Sequence, residues 1–366
     1  MADFLYDVGK LMRKCKIKRI IYAFALLATM LFINGCGSDI NTAGGAAAGG
    51  KIWLQKECVK KINDWIEERA LREQAEAEAE LRAAAEAIGL KEDRVEVDLP
   101  GVSGEYEILF INDMHIIALD DSVVQESYGT AEERYYKMFR TETGMFSADN
   151  WMILSSALDA YRADGIIFGG DMIDFVSQNN VNILKKGFLN IDTPYMYLRA
   201  DHDFGTWYSG FMMDHGDALA LQEQISEYKD VYIMEYEEFY ILGWNNSTSD
   251  MTEEGLRRAK EIWDDGKPII LATHVPLDSL IDNGLREESA RIDPHGRSKI
   301  WGWECLYHPN DITMTFLNMV YDEGSPVKAV LSGHLHFKYT VPLTEQITGY
   351  VFAPSFAGNI ARIRIY

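Results

Sequence analysis

From about residue 104 onward, short apolar runs alternate with mixed stretches of helical spacing. Residues 105–113 (EYEILFIND), 164–171 (DGIIFGGD), 194–201 (PYMYLRAD), 267–274 (KPIILATH) and 327–334 (VKAVLSGH) are runs of β-branched and large apolar residues. Each ends on a charged or imidazole residue. Runs without polar alternation predict strands covered on both faces. Helical periodicity over 148–163, 177–189, 252–264 and 311–322 separates several of them, which predicts an α/β protein. Further strands are expected at 230–234, 238–244, 338–342, 347–353 and 359–366, the last alternating as a half-buried strand does. Upstream, 52–89 reads as one long helix. It opens with Trp53, Leu54, Val59, Ile62, Trp65 and Ile66 at helical spacing, continues through EERALREQAEAEAELRAAAEA, and reaches a C-cap at Gly89. No a/d heptad runs through its alanine-rich half, so it predicts a stalk, or a helix lying on the α/β body, rather than a coiled coil.

The first 36 residues differ. Lys10, Arg13, Lys14, Lys16, Lys18 and Arg19 stand against Asp3 and Asp7, and residues 20–33 (IIYAFALLATMLFI) carry no charge. That apolar run spans roughly 21 Å as helix, short of the roughly 30 Å hydrocarbon core, which suits a secretory signal. Ile33-Asn34-Gly35-Cys36 resembles the lipobox of bacterial lipoprotein signals, with Ile33 where leucine is usual and Asn34 an uncommon neighbour. The resemblance implies a lipidated Cys36 on the extracytoplasmic face of the cell membrane. The other reading is an uncleaved membrane anchor over 20–33. Residues 37–50 (GSDINTAGGAAAGG) have the composition of a flexible linker. The expected organisation is therefore a signal or anchor over 1–36, a linker over 37–50, a helical stalk or packing segment over 51–103, and the α/β body over 104–366.

Composition narrows the classes. Among 366 residues, 35 Lys and Arg face 57 Asp and Glu, a formal charge of -22. A surface of that sign repels a phosphate backbone, so nucleic acid is not an expected partner. Cys15, Cys36, Cys58 and Cys305 include no CxxC pair, which argues against a zinc finger or a disulfide scaffold.

The strand ends carry the chemistry. The first gives Asp113 and His115, the second Asp171 and Asp174, the third Asp201, His202 and Asp203, the fourth His274, and the fifth His334 and His336. Five of the eight histidines stand there. Ligand sites in open α/β sheets collect beyond the carboxyl ends of strands. If the strands run on, Asp113 and His115 share one face, as do His334 and His336. Carboxylates and imidazoles without thiolates suit Mn, Fe or Zn, and this many donors suffice for two ions.

In this order the blocks Asp113-Met114-His115, Gly170-Asp171-Met172-Ile173-Asp174, Ala200-Asp201-His202-Asp203, His274 and Gly333-His334-Leu335-His336 resemble the calcineurin-like metallophosphoesterase superfamily, over about 104–366. The resemblance implies a two-sheet α/β sandwich flanked by helices and a two-metal phosphoesterase. It implies one metal on Asp113, His115, Asp171 and His336, and a second on Asp171, Asp201, His274 and His334, with Asp171 bridging. It implies His202 as the catalytic, non-ligand histidine facing phosphate and leaving group, Asp174 as the carboxylate orienting it, and Asp203 as support for the loop. Two cations about 3.5–4 Å apart would clamp the phosphoryl oxygens and lower the pKa of a bridging water, whose hydroxide attacks phosphorus.

The chain departs from the family in two places. Asp201 replaces the usual asparagine and Ala200 the usual glycine; a third carboxylate predicts tighter metal binding and weaker activation of water. Phe175 stands where protein serine/threonine phosphatases of this family carry arginine, which disfavours that subfamily. Arg199, as phosphate clamp or as structural strand residue, and Arg297 are the candidate replacements. Residues 293–309, with His295, Trp301, Trp303 and His308, read either as a pocket wall or as a packed surface loop. The aromatic stretch 121–150 (Tyr128, Tyr135, Tyr136, Phe139, Phe146) reads either as a stacking platform or as core for a helix on the sheet. Asn245 and Asn246 are formal N-glycosylation acceptors. The expected substrate is a small phosphate ester, mono- or diester; the alternative is an envelope protein that keeps the metal site without turnover.

Overall fold

The computed structural model describes residues 45–119, 128–205, 216–247, 250–294 and 309–366. The signal or anchor segment with Cys36, and Arg297, His295, His308, Trp301 and Trp303, lie outside the described residues. The chain divides into two units, Met1–Glu76 and Ala77–Tyr366. Helix α1 (Gly45–Ile88), which starts in the first unit and ends in the second, begins inside the stretch expected to be linker, at the alanine-rich GAAAGG. Its solvent-facing side carries Trp65, which Arg69 covers at 5.5 Å while pairing with Glu73 at 3.0 Å. Among the described residues no helix is long and apolar enough to cross a membrane.

The second unit holds two sheets. In the first, β1 (Lys91–Val97), β2 (Tyr106–Ile111), β3 (Gly165–Gly169), β4 (Tyr195–Leu198) and β11 (Asn359–Ile365) lie in the order β1-β11-β2-β3-β4. In the second, β5 (Val231–Glu235), β6 (Tyr240–Trp244), β7 (Ile269–Thr273), β8 (Val327–Ser332), β9 (Tyr339–Pro342) and β10 (Thr348–Val351) lie in the order β5-β6-β7-β8-β10-β9. The central pairs β2–β3, β3–β4, β6–β7 and β7–β8 are parallel, as crossover helices require.

The unbroken apolar runs follow from burial on two sides. Ile108, Phe110, Ile167 and Leu198 face Ile241, Ile270, Ala272 and Leu331 in one buried cluster between the sheets. The intervening Leu109, Ile111, Ile166 and Phe168 face helices α3 (Ser147–Ala157) and α4 (Gln178–Phe188) through Trp151, Leu154, Val181 and Leu184. On the far side, Leu242, Trp244, Ile269 and Leu271 meet α7 (Glu253–Trp263) and α9 (Asp311–Tyr321) through Ala259, Ile262, Phe316 and Val320. The result is the expected two-sheet sandwich with helices outside both sheets.

The pattern-based reading misses one strand and four short helices. The helix expected over 52–89 ends at Ile88, next to its expected cap Gly89, but within the 51–103 stalk or packing segment Lys91–Val97 is an edge strand paired in parallel with β11. Its charged sequence KEDRVEV hides the strand because only one face needs apolar cover. The tail strand alternates as expected, with Ile363 and Ile365 buried while Arg362 pairs with Glu107 and Arg364 with Glu105, both at 2.8 Å, and it lies inside the sheet. Short helices α2 (Tyr128–Glu133), α5 (Asp201–Phe204), α6 (Gly216–Glu223) and α8 (Gly284–Ile292) were too brief or too mixed to show a period.

Packing is close where α4 meets α3. A Cβ on Gly187 would stand 2.1 Å from Trp151 Nε1, the indole nitrogen that donates to Ile183 O and Leu184 O at 3.2 Å each. Gly187→Ala should destabilise the protein by about 1–3 kcal/mol through overpacking. Gly129→Ala, where a Cβ meets nothing within 4 Å, should be neutral or slightly stabilising. Thermal unfolding of both variants checks this, and equal midpoints would refute it.

Candidate metal centre

All the strand-end residues singled out from the sequence meet at one end of the sandwich, but not by strand continuation. β2 stops at Ile111 and β8 at Ser332, so the expected i, i+2 alternation on extended strands is corrected. Instead Asp113, His115, Asp171, His334 and His336 have φ of 49°, 46°, 52°, 69° and 58°. Five non-glycine residues in the left-handed region cost on the order of 1–2 kcal/mol each. Such clustered strain marks a functional site. The two loops after β2 and β3 run side by side: Asp113 N donates to Gly170 O at 3.0 Å, His115 N to Asp171 O at 2.9 Å, and Asp174 N to Ile116 O at 3.1 Å. Gly333 N, donating to His274 O at 3.0 Å, ties in the second sheet.

The imidazoles are oriented by what holds their other nitrogen. His115 Nδ1 donates to Asp174 Oδ1 at 2.8 Å and His274 Nδ1 to Gly169 O at 2.9 Å, so each turns Nε2 into the centre. His336 Nε2 then lies 3.2 Å from His115 Nε2 and 3.3 Å from Asp113 Oδ1. His334 Nδ1 lies 3.3 Å from His274 Nε2, which is 3.2 Å from Asp171 Oδ2. Two ligand groups result, Asp113/His115/His336 and Asp171/His274/His334, and a third close group joins His115, Asp171 and His202. Asp201 falls in none of these groups. Among the described residues its Oδ1 is buried without a hydrogen-bond partner, and the buried Asp113 Oδ1 faces only imidazole nitrogens, His336 Nε2 nearest at 3.3 Å.

The donor chemistry fits cations. Nitrogen lone pairs facing each other and buried carboxylate oxygens without donors need positive charge between them. Counting protein charges alone, burial pushes His115 down to about 4 and burial with the His274 charge pushes His334 down to about 3. Burial also opposes charge on His274 and His202, yet Asp171 and its neighbouring carboxylates win and raise both to about 10. In this balance protons on two imidazoles neutralise what metal ions would neutralise. Burial and Asp171 raise Asp201, while imidazoles hold Asp113 and Asp171 below the ordinary carboxylate range despite burial.

His202 is held apart from the ligand role. Its Nδ1 donates to the Asp174 main-chain carbonyl at 2.7 Å and lies 3.3 Å from Asp174 Oδ1, and 21% of its side chain stays exposed. Asp174 therefore serves His202 mainly with its carbonyl and His115 with its carboxylate. Asp203 braces the loops: its carboxylate accepts from Met172 N, Ile173 N, Ala200 N and Tyr197 Oη at 2.9–3.1 Å, and burial followed by Asp171 raises it to about 7.

Arg199 resolves as structural. It is buried and bonded to Gln222, Tyr232 and Ser226. The loop after β6 was missed. Asn245 accepts from Arg199 N at 2.8 Å, Asn246 Oδ1 from His274 N and Val275 N at 3.2 and 3.0 Å, and Ser247 Oγ from Asp201 N at 3.0 Å. Both asparagines are buried, which removes them as glycan acceptors. Within the aromatic stretch, Phe139 is buried and lies flat on His115, centroids 4.1 Å apart at 6°.

The sequence model of the Metallophos family, calcineurin-like phosphoesterase, matches residues 106–338. The chain belongs to the calcineurin-like phosphoesterase family. No curated protein matches it. Among solved structures it is similar to a dimetal phosphatase from Danio rerio (10% identity, 69% of this chain and 88% of that one, TM-score 0.41). It is also similar to a 5'-nucleotidase from Candida albicans (12% identity, 68% of this chain and 46% of that one, TM-score 0.33). Within this calcineurin-like frame the glycine before Asp171 is forced: Gly170 has φ +94°, and a Cβ there would stand 2.8 Å from His274 Nδ1 and 2.9 Å from Ala200 Cβ. Gly170→Ala should displace His274 and cost the Asp171/His274/His334 group its metal. Metal analysis after gel filtration should show about one equivalent fewer than wild type; an unchanged stoichiometry would refute this.

Proposed function

We propose that this chain hydrolyses a small phosphate ester at a centre for two metal ions, with Mn, Fe or Zn the ions its donors suit. The observation that carries the reading is the pairing of two carboxylate–imidazole groups with a third imidazole, His202, pinned beside them through Nδ1. Asp113, His115 and His336 would hold one ion and His274 and His334 the other. Asp171 stands between them, and Asp201 supplies a further carboxylate to the second. Bound there, the ions would supply Lewis-acid stabilisation of phosphoryl oxygens and a water nucleophile active near neutral pH.

The chain's own groups do the rest. The Asp174 carbonyl fixes one proton on His202 Nδ1 and leaves Nε2 facing substrate; in the imidazolium form the Nε2 proton passes to the departing oxygen, and the neutral ring keeps its Nδ1 proton. Asp203 keeps Ala200 and the Met172–Ile173 turn in place, which fixes the distance between His202 and Asp171. The proposal extends to location: lipidation at Cys36, or an uncleaved 20–33 anchor, would hold the chain on the extracytoplasmic face of a membrane. The composition of residues 1–36 supports this reading.

The test is turnover of p-nitrophenyl phosphate and bis-p-nitrophenyl phosphate by the metal-loaded chain with Mn, Fe or Zn. Metal-dependent hydrolysis of one ester is expected, and His202→Ala should lower kcat about 10²–10⁴-fold with metal content unchanged. Two bound ions without turnover of either ester would favour a metal-binding envelope protein instead. In the same assay Asp201→Asn should weaken metal binding and raise kcat per loaded site; unchanged affinity and rate would refute a charge role for Asp201.

A further inference from the structure

We infer that Arg134 is a positioning residue for the metal centre, supplied by the segment between the first two ligand loops. This rests on the phosphoesterase reading for its effect on rate, but not for its effect on metal binding. Arg134 opens a π-helical turn (Arg134–Met138), a geometry found frequently at functional sites. Its guanidinium grips the buried Asp174 carboxylate with two donors, Nε to Oδ2 at 2.9 Å and Nη2 to Oδ1 at 2.6 Å. The same Oδ1 lies 2.8 Å from His115 Nδ1 and 3.3 Å from His202 Nδ1. The guanidinium carbon also lies 4.6 Å from the centroid of the Phe139 ring, the ring stacked on His115.

Arg134 thus reaches one metal-ligand imidazole by two routes, a carboxylate and a phenyl ring. A two-donor fork fixes the rotation of the carboxylate, so Oδ1 stays turned toward both histidines; a point charge would neutralise it without fixing it. Groups that orient metal-bound histidines typically contribute 10–100-fold in metal affinity. The cations singled out from the sequence were Arg199, before the third block, and Arg297, between the fourth and fifth, whereas this one sits in the aromatic segment and acts through a carboxylate.

The experiment compares wild type, Arg134→Gln and Arg134→Lys. Metal affinity is measured by chelator competition, kcat and KM on the ester that wild type prefers, and thermal midpoints report folding. Arg134→Gln should weaken metal binding 10–100-fold and lower kcat about tenfold or more, with KM within about threefold. Arg134→Lys should fold like wild type and recover part of the metal affinity. If Arg134→Gln folds and binds metal as wild type does, the inference is overturned. If Arg134→Gln does not fold, Arg134→Lys decides: metal affinity several-fold below wild type supports the fork, and wild-type affinity overturns it. If wild type binds two ions but turns over neither ester, the functional reading fails, and the affinity series alone decides the role of Arg134.

Discussion

Buried negative charge is the constraint around which this molecule is organised. Asp113, Asp171, Asp174 and Asp203 are all almost fully shielded from solvent at one end of the sandwich. Carboxylates in such a place are tolerated only when donors and cations surround them. Each here has a different answer. Asp203 is satisfied by backbone N–H groups, Asp174 by a guanidinium and two imidazoles, and Asp171 by His274 and His202 N–H. Asp113 Oδ2 takes Asn112 and His334 N–H and its Oδ1 faces His336 Nε2 at 3.3 Å, while Asp201 Oδ1 has no hydrogen-bond partner among the described residues.

The two sheets make that concentration possible. Their apolar interior fixes the ends of β2, β3, β4, β7 and β8 at a common level, and each loop then needs to deliver only one to three side chains. The cost of five left-handed ligand residues is borne by the rigid strands on either side. The Asn245–Ser247 turn is the clamp between halves: it holds the end of β4 through Arg199 and Asp201 and the end of β7 through His274.

The core strands and the ligand set were legible in the sequence because both write themselves as composition. A strand covered on both faces has nowhere to place a polar residue, and a ligand must be Asp or His. The residues that orient the ligands were not legible. Arg134, Asn246 and Phe139 act through geometry across 40, 28 and 24 positions of chain to Asp174, His274 and His115. No local spacing records that. Left-handed backbone at Asp113 or His334 is equally silent, since neither residue type demands it. Lys91–Val97 was hidden for a related reason, its partner strand lying at the far end of the chain.

That last pairing has a consequence for how the body is assembled. β11 lies between β1 and β2, so the first sheet is closed by the stretch that follows all its other strands in the chain. Until Asn359–Ile365 emerges, β1 has no hydrogen-bonding neighbour in its sheet and β2 has only β3. Completion of this half therefore waits for β11, and a nascent chain keeps an open strand slot until that stretch has emerged.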